Sequence, residues 1–198
     1  MSERTLDLIR HGRPEGGAKY RGHGIDDPLS EQGWTQMWEA VGGAAPWQAV
    51  VTSPLRRCRT FAEALGERHG LPVTVDEDLK EVGFGAWEGK TREQVQAEDP
   101  EGYRAFYADP VHARPPGAEP LAAFLARTRA AWERLLDRPE AHLLVVAHAG
   151  VIRALLTHAL EAPPAALYRL QVDTAHLTRI QLHDCRPLVV FHNRPRLP

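Results

Sequence analysis

Three short apolar runs punctuate the chain. Arg4–Arg10 (RTLDLIR), Ala49–Thr52 (AVVT) and residues 143–147 (LLVVA) each read as a buried strand, and each stops at a cluster of polar residues. Apolar positions recur with helical spacing between and after them. Ser30 with Glu31, Gln32 and Gly33 opens a helix over about 30–41, Pro54 starts a second through about 66, and residues 151–160 continue as a third. Strand then helix, several times over, predicts an α/β fold: a three-layer sandwich with a mainly parallel central sheet and helices on both faces. Near the end, 176–182 and 188–192 read as two strands flanking a turn at 184–187, antiparallel at a sheet edge.

Residues 86–140 break this rhythm. Acidic helix-like pieces such as 91–97 are followed by a Pro-rich stretch, 109–120, and then by a long amphipathic helix over about 121–136. No second core is visible there, so the segment reads as a short cap-like helical insertion over one end of the sheet within one domain, 1–198. Pro110, Pro115, Pro116, Gly117 and Pro120 should form an ordered loop within it.

Length and composition narrow the class. A chain of 198 residues, 43% hydrophobic and 25% charged, fits one globular domain and excludes a disordered tail. No stretch approaches the roughly 18 apolar residues of a membrane helix. The charged start, MSERTLDLIRHG, lacks a signal core, so the chain is expected to be untargeted and cytoplasmic. Cys58 and Cys185 are too few for a disulfide framework or a thiolate metal site. A net charge of −2 gives no global field for nucleic acid or an anionic membrane, so an anionic partner must be caught locally. Arginine dominates the cations, Lys19, Lys80 and Lys90 being the lysines among 24 basic residues. The planar guanidinium suits bidentate binding of phosphate or carboxylate.

Candidate chemistry gathers at the strand ends. Arg10-His11-Gly12 follows the first strand, and His148 holds the equivalent place after the 143–147 strand, so the two imidazoles are expected to meet over one ligand. Ser53-Pro54-Leu55-Arg56-Arg57 follows the 49–52 strand and adds arginine. Glu81 stands before a Gly-rich turn, in DLKEVGFGAWEG, where a carboxylate can give or take a proton. Two histidines, arginines and one glutamate fit a phosphoryl-transfer site. Arginines stabilise the transferring group, histidine can be a covalent nucleophile, and an acid protonates the leaving alkoxide.

The ordered series LIRHG (8–12), DDPLSEQG (26–33), TSPLRRC (52–58), LKEVGFGAWEG (79–89), PPGAE (115–119) and AHAGVIRALL (147–156) resembles the histidine phosphatase superfamily, the phosphoglycerate mutase-like proteins. Locally, RGHGIDDPLSEQGWTQM and SPLRRCRTFAEAL look most like α-ribazole phosphatase-like members. The resemblance implies that His11 is the nucleophile that becomes a phosphohistidine, with Arg10 beside it. It likewise makes Arg57 the pocket arginine, Glu81 the proton donor and His148 the second histidine holding the phosphoryl group. Arg21 and Gly22 fall on a loop that the family uses near its ligand, so substrate binding is expected from Arg10, Arg57, His148, Arg21 and Gly22. The family uses no metal, and no metal ligand set or cofactor is expected. The implied partner is a small phosphorylated metabolite, not nucleic acid or membrane, and a homodimer is compatible with it.

Three places depart from the family pattern. Arg59, Thr60 and Phe61 replace a frequent Gln-Thr pair, Ala118 and Pro120 alter the usual PPGGES, and Pro14-Glu15-Gly16-Gly17 fills a region where many mutases carry Asn. These touch substrate contacts rather than phosphoryl transfer. The short insertion favours a phosphatase over a cofactor-dependent mutase. A phosphate-binding module on the same fold and a metal-dependent hydrolase are the alternatives from other classes.

The remaining conspicuous residues read as structural. His23 belongs to a solvated loop, and His69, His112, His142, His158, His176, His183 and His192 to the surface or edges. Trp34, Trp38 and Trp47 suit the core, while Trp87 should prop the Glu81 turn. Arg153 should anchor its helix through a buried ion pair, and Cys58 should be a small buried filler.

Overall fold

The predicted strands are buried on both faces, and their side chains alternate between two core clusters with a period of two. In β1 (Arg4–Arg10) Leu6 and Leu8 enter one core cluster and Ile9 the other, and in β4 (His142–Ala147) Leu143 and Val145 oppose Leu144 and Val146 in the same way. The computed structural model describes residues 4–43, 45–184 and 186–197. With β2 (Ala49–Thr52), β3 (Val73–Val75), β5 (Leu177–His183) and β6 (Arg186–Arg194), the strands form one sheet ordered β3-β2-β4-β1-β5-β6. The pairs from β3 to β1 are parallel, while β5 and β6 are antiparallel.

Helices α1 (Glu31–Val41) and α2 (Arg56–His69) cover one face through Met37, Ala40, Phe61 and Leu65. Ser30 caps α1 as expected, its Oγ accepting the Gly33 N–H at 3.1 Å. On the opposite face α5 (Leu121–Asp137) and α6 (Ala149–Ala159) pack Phe124, Trp132, Ile152 and Leu155 against the sheet. The three-layer expectation holds.

The 86–140 segment divides. Its C-terminal part, α5, lies in the helix layer, whereas α3 (Arg92–Glu98) and α4 (Pro100–Ala108) stand apart. Those two enclose a small cluster of Trp87, Val95, Tyr103 and Phe106, a satellite core that the sequence reading did not foresee. Cys58 is fully buried and carries no disulfide, while the expectation for Cys185 lies outside the described residues. No helix among the described residues is long and apolar enough to cross a membrane.

Candidate active site

Because β4 lies between β1 and β2, the three predicted strand ends are neighbours. The ladder runs one residue past each strand: the His11 N–H donates to Ala147 O and the Ser53 N–H to Val146 O, both at 3.0 Å. The His11 and His148 rings therefore meet edge to face, with centroids 5.1 Å apart. His11 Nδ1 lies 2.7 Å from Gly12 O. A carbonyl only accepts, so Nδ1 carries the proton and Nε2 keeps its lone pair. Burial first, then the charges of Arg10 and Arg57, hold His11 well below the usual histidine range of 6.5; burial and Arg57 do the same to His148. Both rings are neutral at ordinary pH.

His148 is fully buried, with Nε2 2.7 Å from Ser53 Oγ and 3.5 Å from Cys58 Sγ. It packs edge to face against the His11 ring at the adjoining strand end. Burial, the first cause, also raises the Cys58 thiol, in keeping with a buried filler.

The arginines arrive from two elements. Arg10 Nη1 donates to Val172 O at 2.6 Å, and Arg57, from the first turn of α2, donates to Ile25 O and Gly22 O at 2.9 and 2.8 Å. On both, the buried Nε–H has no acceptor. A buried donor left unpaired costs about 1–3 kcal/mol, and an anion between the two would remove that cost. Arg21 behaves differently, since its fork goes to Asp27 at 2.9 Å and to the carbonyls of Glu15 and Gly17. Gly22 has φ +54, and a Cβ there would come within 1.8 Å of Glu88 Oε1, so only glycine fits the turn that receives Arg57. Arg21 and Gly22 do line the cavity, but their visible work is to shape the loop.

Glu81 is fixed at both oxygens. Oε1 accepts the Val82 N–H at 2.9 Å and Oε2 the Gly150 N–H at 3.2 Å, in the first turn of α6. A Cβ at residue 150 would sit 2.3 Å from Oε1. Its backbone is clamped by Arg127, which donates to Asp78 O, Lys80 O and Glu81 O at 2.7, 2.7 and 3.1 Å and pairs with Glu119 at 2.7 Å. His23 Nδ1 reaches Glu81 O at 2.9 Å, so this histidine also serves the acid's backbone. Sequence reasoning missed Arg127, because nothing local in α5 distinguishes it from its neighbours.

A cavity of about 500 Å³ opens onto His11, Arg10, Arg57 and Glu81. Arg13, Lys19, Arg21 and Arg153 add cations to its wall, and Tyr20, Phe84 and Tyr168 add rings. Trp87 stands behind, its ring 5.2 Å from Tyr20. Arg153 forms no ion pair among the described residues, contrary to expectation; its Nε donates to Leu170 O at 2.8 Å. His158 is not a surface residue but is buried against Thr128 at 3.1 Å, while the partly exposed His142 bonds Asp7 at 2.9 Å.

The family model for the histidine phosphatase superfamily (branch 1) matches residues 6–195. A bifunctional protein of Mycobacterium tuberculosis is 40% identical over 178 residues, 87% of this chain and 49% of that protein, so the chain spans about half that relative's length. The adenosylcobalamin/alpha-ribazole phosphatase of Salmonella typhimurium is 33% identical over 85% of each chain. The solved structure of a mycobacterial glucosyl-3-phosphoglycerate phosphatase complexed with VO3 superposes with a TM-score of 0.85 at 33% identity, covering 96% of this chain and 99% of that one. The family match spans all three strand ends that build the cavity. By sequence and by fold, the chain belongs to the histidine phosphatase superfamily.

Proposed function

We propose that the chain is a metal-independent phosphomonoesterase acting on a small phosphorylated metabolite through a phosphohistidine at His11. One observation carries the reading: a buried neutral imidazole, its Nδ1–H spent on Gly12 O, keeps a lone pair on Nε2 beside two buried arginine N–H groups without an acceptor. Nε2 attacks phosphorus as the ester P–O bond breaks, and Glu81 gives its proton to the leaving oxygen. Arg10 and Arg57 neutralise charge on the equatorial oxygens. His148, being neutral, contributes hydrogen bonding and packing against His11 rather than a standing charge. Water then attacks the phosphohistidine, its proton passes to Glu81, the N–P bond breaks and phosphate leaves. A binding module has no use for Glu81 held at the same cavity.

α-Ribazole 5′-phosphate and glucosyl-3-phosphoglycerate are the two substrate leads suggested by the relatives' names. The test is a screen of both, with phosphoglycerates and p-nitrophenyl phosphate, in EDTA. Hydrolysis should persist under chelation and be inhibited by vanadate, which takes the five-coordinate geometry of the transition state. Activity lost in EDTA and restored by a divalent ion would overturn the mechanism. Transfer to a second phosphoglycerate in place of release of phosphate would make the chain a mutase.

A further inference from the structure

We infer that the leaving-group half of the cavity binds a second anion on the substrate, and that Arg153 is the residue that takes it. The inference rests on the phosphomonoesterase reading. Arg153 lies one helical turn beyond Gly150, whose N–H holds Glu81, and residues at that spacing share a helix face. An ester oxygen brought to Glu81 therefore carries the rest of its alcohol toward Arg153.

The guanidinium is poised for such a ligand. It stacks on the Tyr168 ring, 5.6 Å from the centroid, and Nε is tied to Leu170 O. The other N–H groups of its fork have no acceptor among the described residues. Tyr168 is itself pinned, its hydroxyl accepting from Arg114 Nη1 at 3.0 Å, and Arg114 is braced by Gly83 O and the Phe84 ring. The fork is thus held in place before a ligand arrives, which lowers the entropy cost of binding.

Charge matching around the cavity leaves Arg153 over. The phosphoryl group occupies Arg10 and Arg57, Asp27 answers Lys19 and Arg21 at 2.8 and 2.9 Å, and Arg13 is exposed and bonded to Gln32. Glu81 is the one carboxylate among the described lining residues, and it is committed to backbone amides. A planar fork takes a carboxylate or a second phosphate equally well. The substrate class is therefore a phosphate ester whose alcohol carries its own anionic group close to the ester.

Two substrate pairs test this. 2-Phosphoglycerate and glycerol 2-phosphate differ by a carboxylate in place of a hydroxymethyl group; glycerol 1,2-bisphosphate and glycerol 2-phosphate differ by a phosphate in place of a hydroxyl. The wild-type protein should favour the charged member of at least one pair in KM by roughly ten- to hundred-fold, the usual worth of a charged hydrogen bond. Arg153→Met should collapse that ratio mainly through KM, and Arg153→Lys should restore part of it. The pair that discriminates identifies the anion. A wild-type ratio near one for both pairs would overturn the inference without any variant, as would Arg153→Met weakening both members of each pair equally. Failure to hydrolyse any phosphomonoester, p-nitrophenyl phosphate included, would instead defeat the underlying phosphatase reading.

Discussion

Asp7 and Arg10 stand on the same strand, β1, and each brings charge into the interior. Around Asp7, fully buried, every demand is met within the protein: Oδ1 accepts from Arg179 at 2.8 Å, and Oδ2 from Trp47, His142 and Arg179, each at 2.9 Å. Burial opposes the charge, yet those hydrogen bonds from His142, Arg179 and Trp47 hold the carboxyl below its usual 3.8. Three residues on, at the C-terminal end of β1, Arg10 and the neighbouring Arg57 of α2 each keep a buried N–H unpaired, and two imidazoles are held neutral beside them. A satisfied cluster stabilises a fold, whereas unpaired buried donors beside a cavity are open to an anion from outside. The same strand therefore separates stability from function over a single helical-turn length of sequence.

Exchanging the two clusters by mutation gives the largest contrast. His11→Ala should lower turnover of p-nitrophenyl phosphate by about a thousand-fold or more, since a covalent step is lost, while circular dichroism and Tm stay close to wild type. Asp7→Ala should do the reverse. Breaking a buried pair costs about 3–5 kcal/mol, read by urea denaturation, with kcat/KM of the folded fraction nearly unchanged. A folded Asp7→Ala protein without activity would merge the two clusters into one.

Glu81→Gln sharpens the catalytic side. As a proton donor, Glu81 should matter about a hundred- to ten-thousand-fold for an alkyl phosphate and far less for the release of p-nitrophenolate, a leaving group that needs little protonation. Single-turnover kinetics keeps the water-activation step out of the comparison. Equal losses on both substrates would remove the acid role.

The smallest effect separates the clusters by pH. Burial, followed by the charge of Arg129, lowers His158 from 6.5 to about 4, and His11 and His148 are lowered too. Below 6.5 the unfolded chain takes up protons that these folded histidines refuse, so stability falls as pH drops from 6.5 toward about 4. Asp7 acts in a lower window: its depressed value gives stability that is present above 3.8 and lost as pH falls beneath it. Urea midpoints between pH 7 and 4.5 should show the histidine slope, and His158→Gln should flatten part of it. An unchanged slope in that variant would contradict the assignment.

The sequence revealed the site where chemistry follows local pattern. Apolar runs ending in Arg10-His11-Gly12, Ser53 and His148 located the strand ends, and parallel pairing brought them together. The short β3 (Val73–Val75) follows Pro72 and covers only three residues, too little for a periodic signal. Helix α4, just before the Pro-rich stretch, escaped notice, although Asp99 caps it through the Gly102 N–H at 2.8 Å and Pro100 opens it. What stayed hidden depends on long-range pairing. Arg127 reaches Glu81 across 46 residues, Asp7 meets Arg179 across 172, and the placement of His148 against His11 follows from the register of β1 on β4. No window of sequence contains both partners.

The most direct measurement is the intermediate itself. The protein is mixed with a phosphate-labelled substrate for a single turnover and quenched in base, where phosphohistidine survives, and the labelled peptide is then mapped by mass spectrometry. The account predicts label on the peptide carrying His11, none on that carrying His148, and none in His11→Ala. Label on another residue, or phosphate release with no labelled protein at any time, would contradict it.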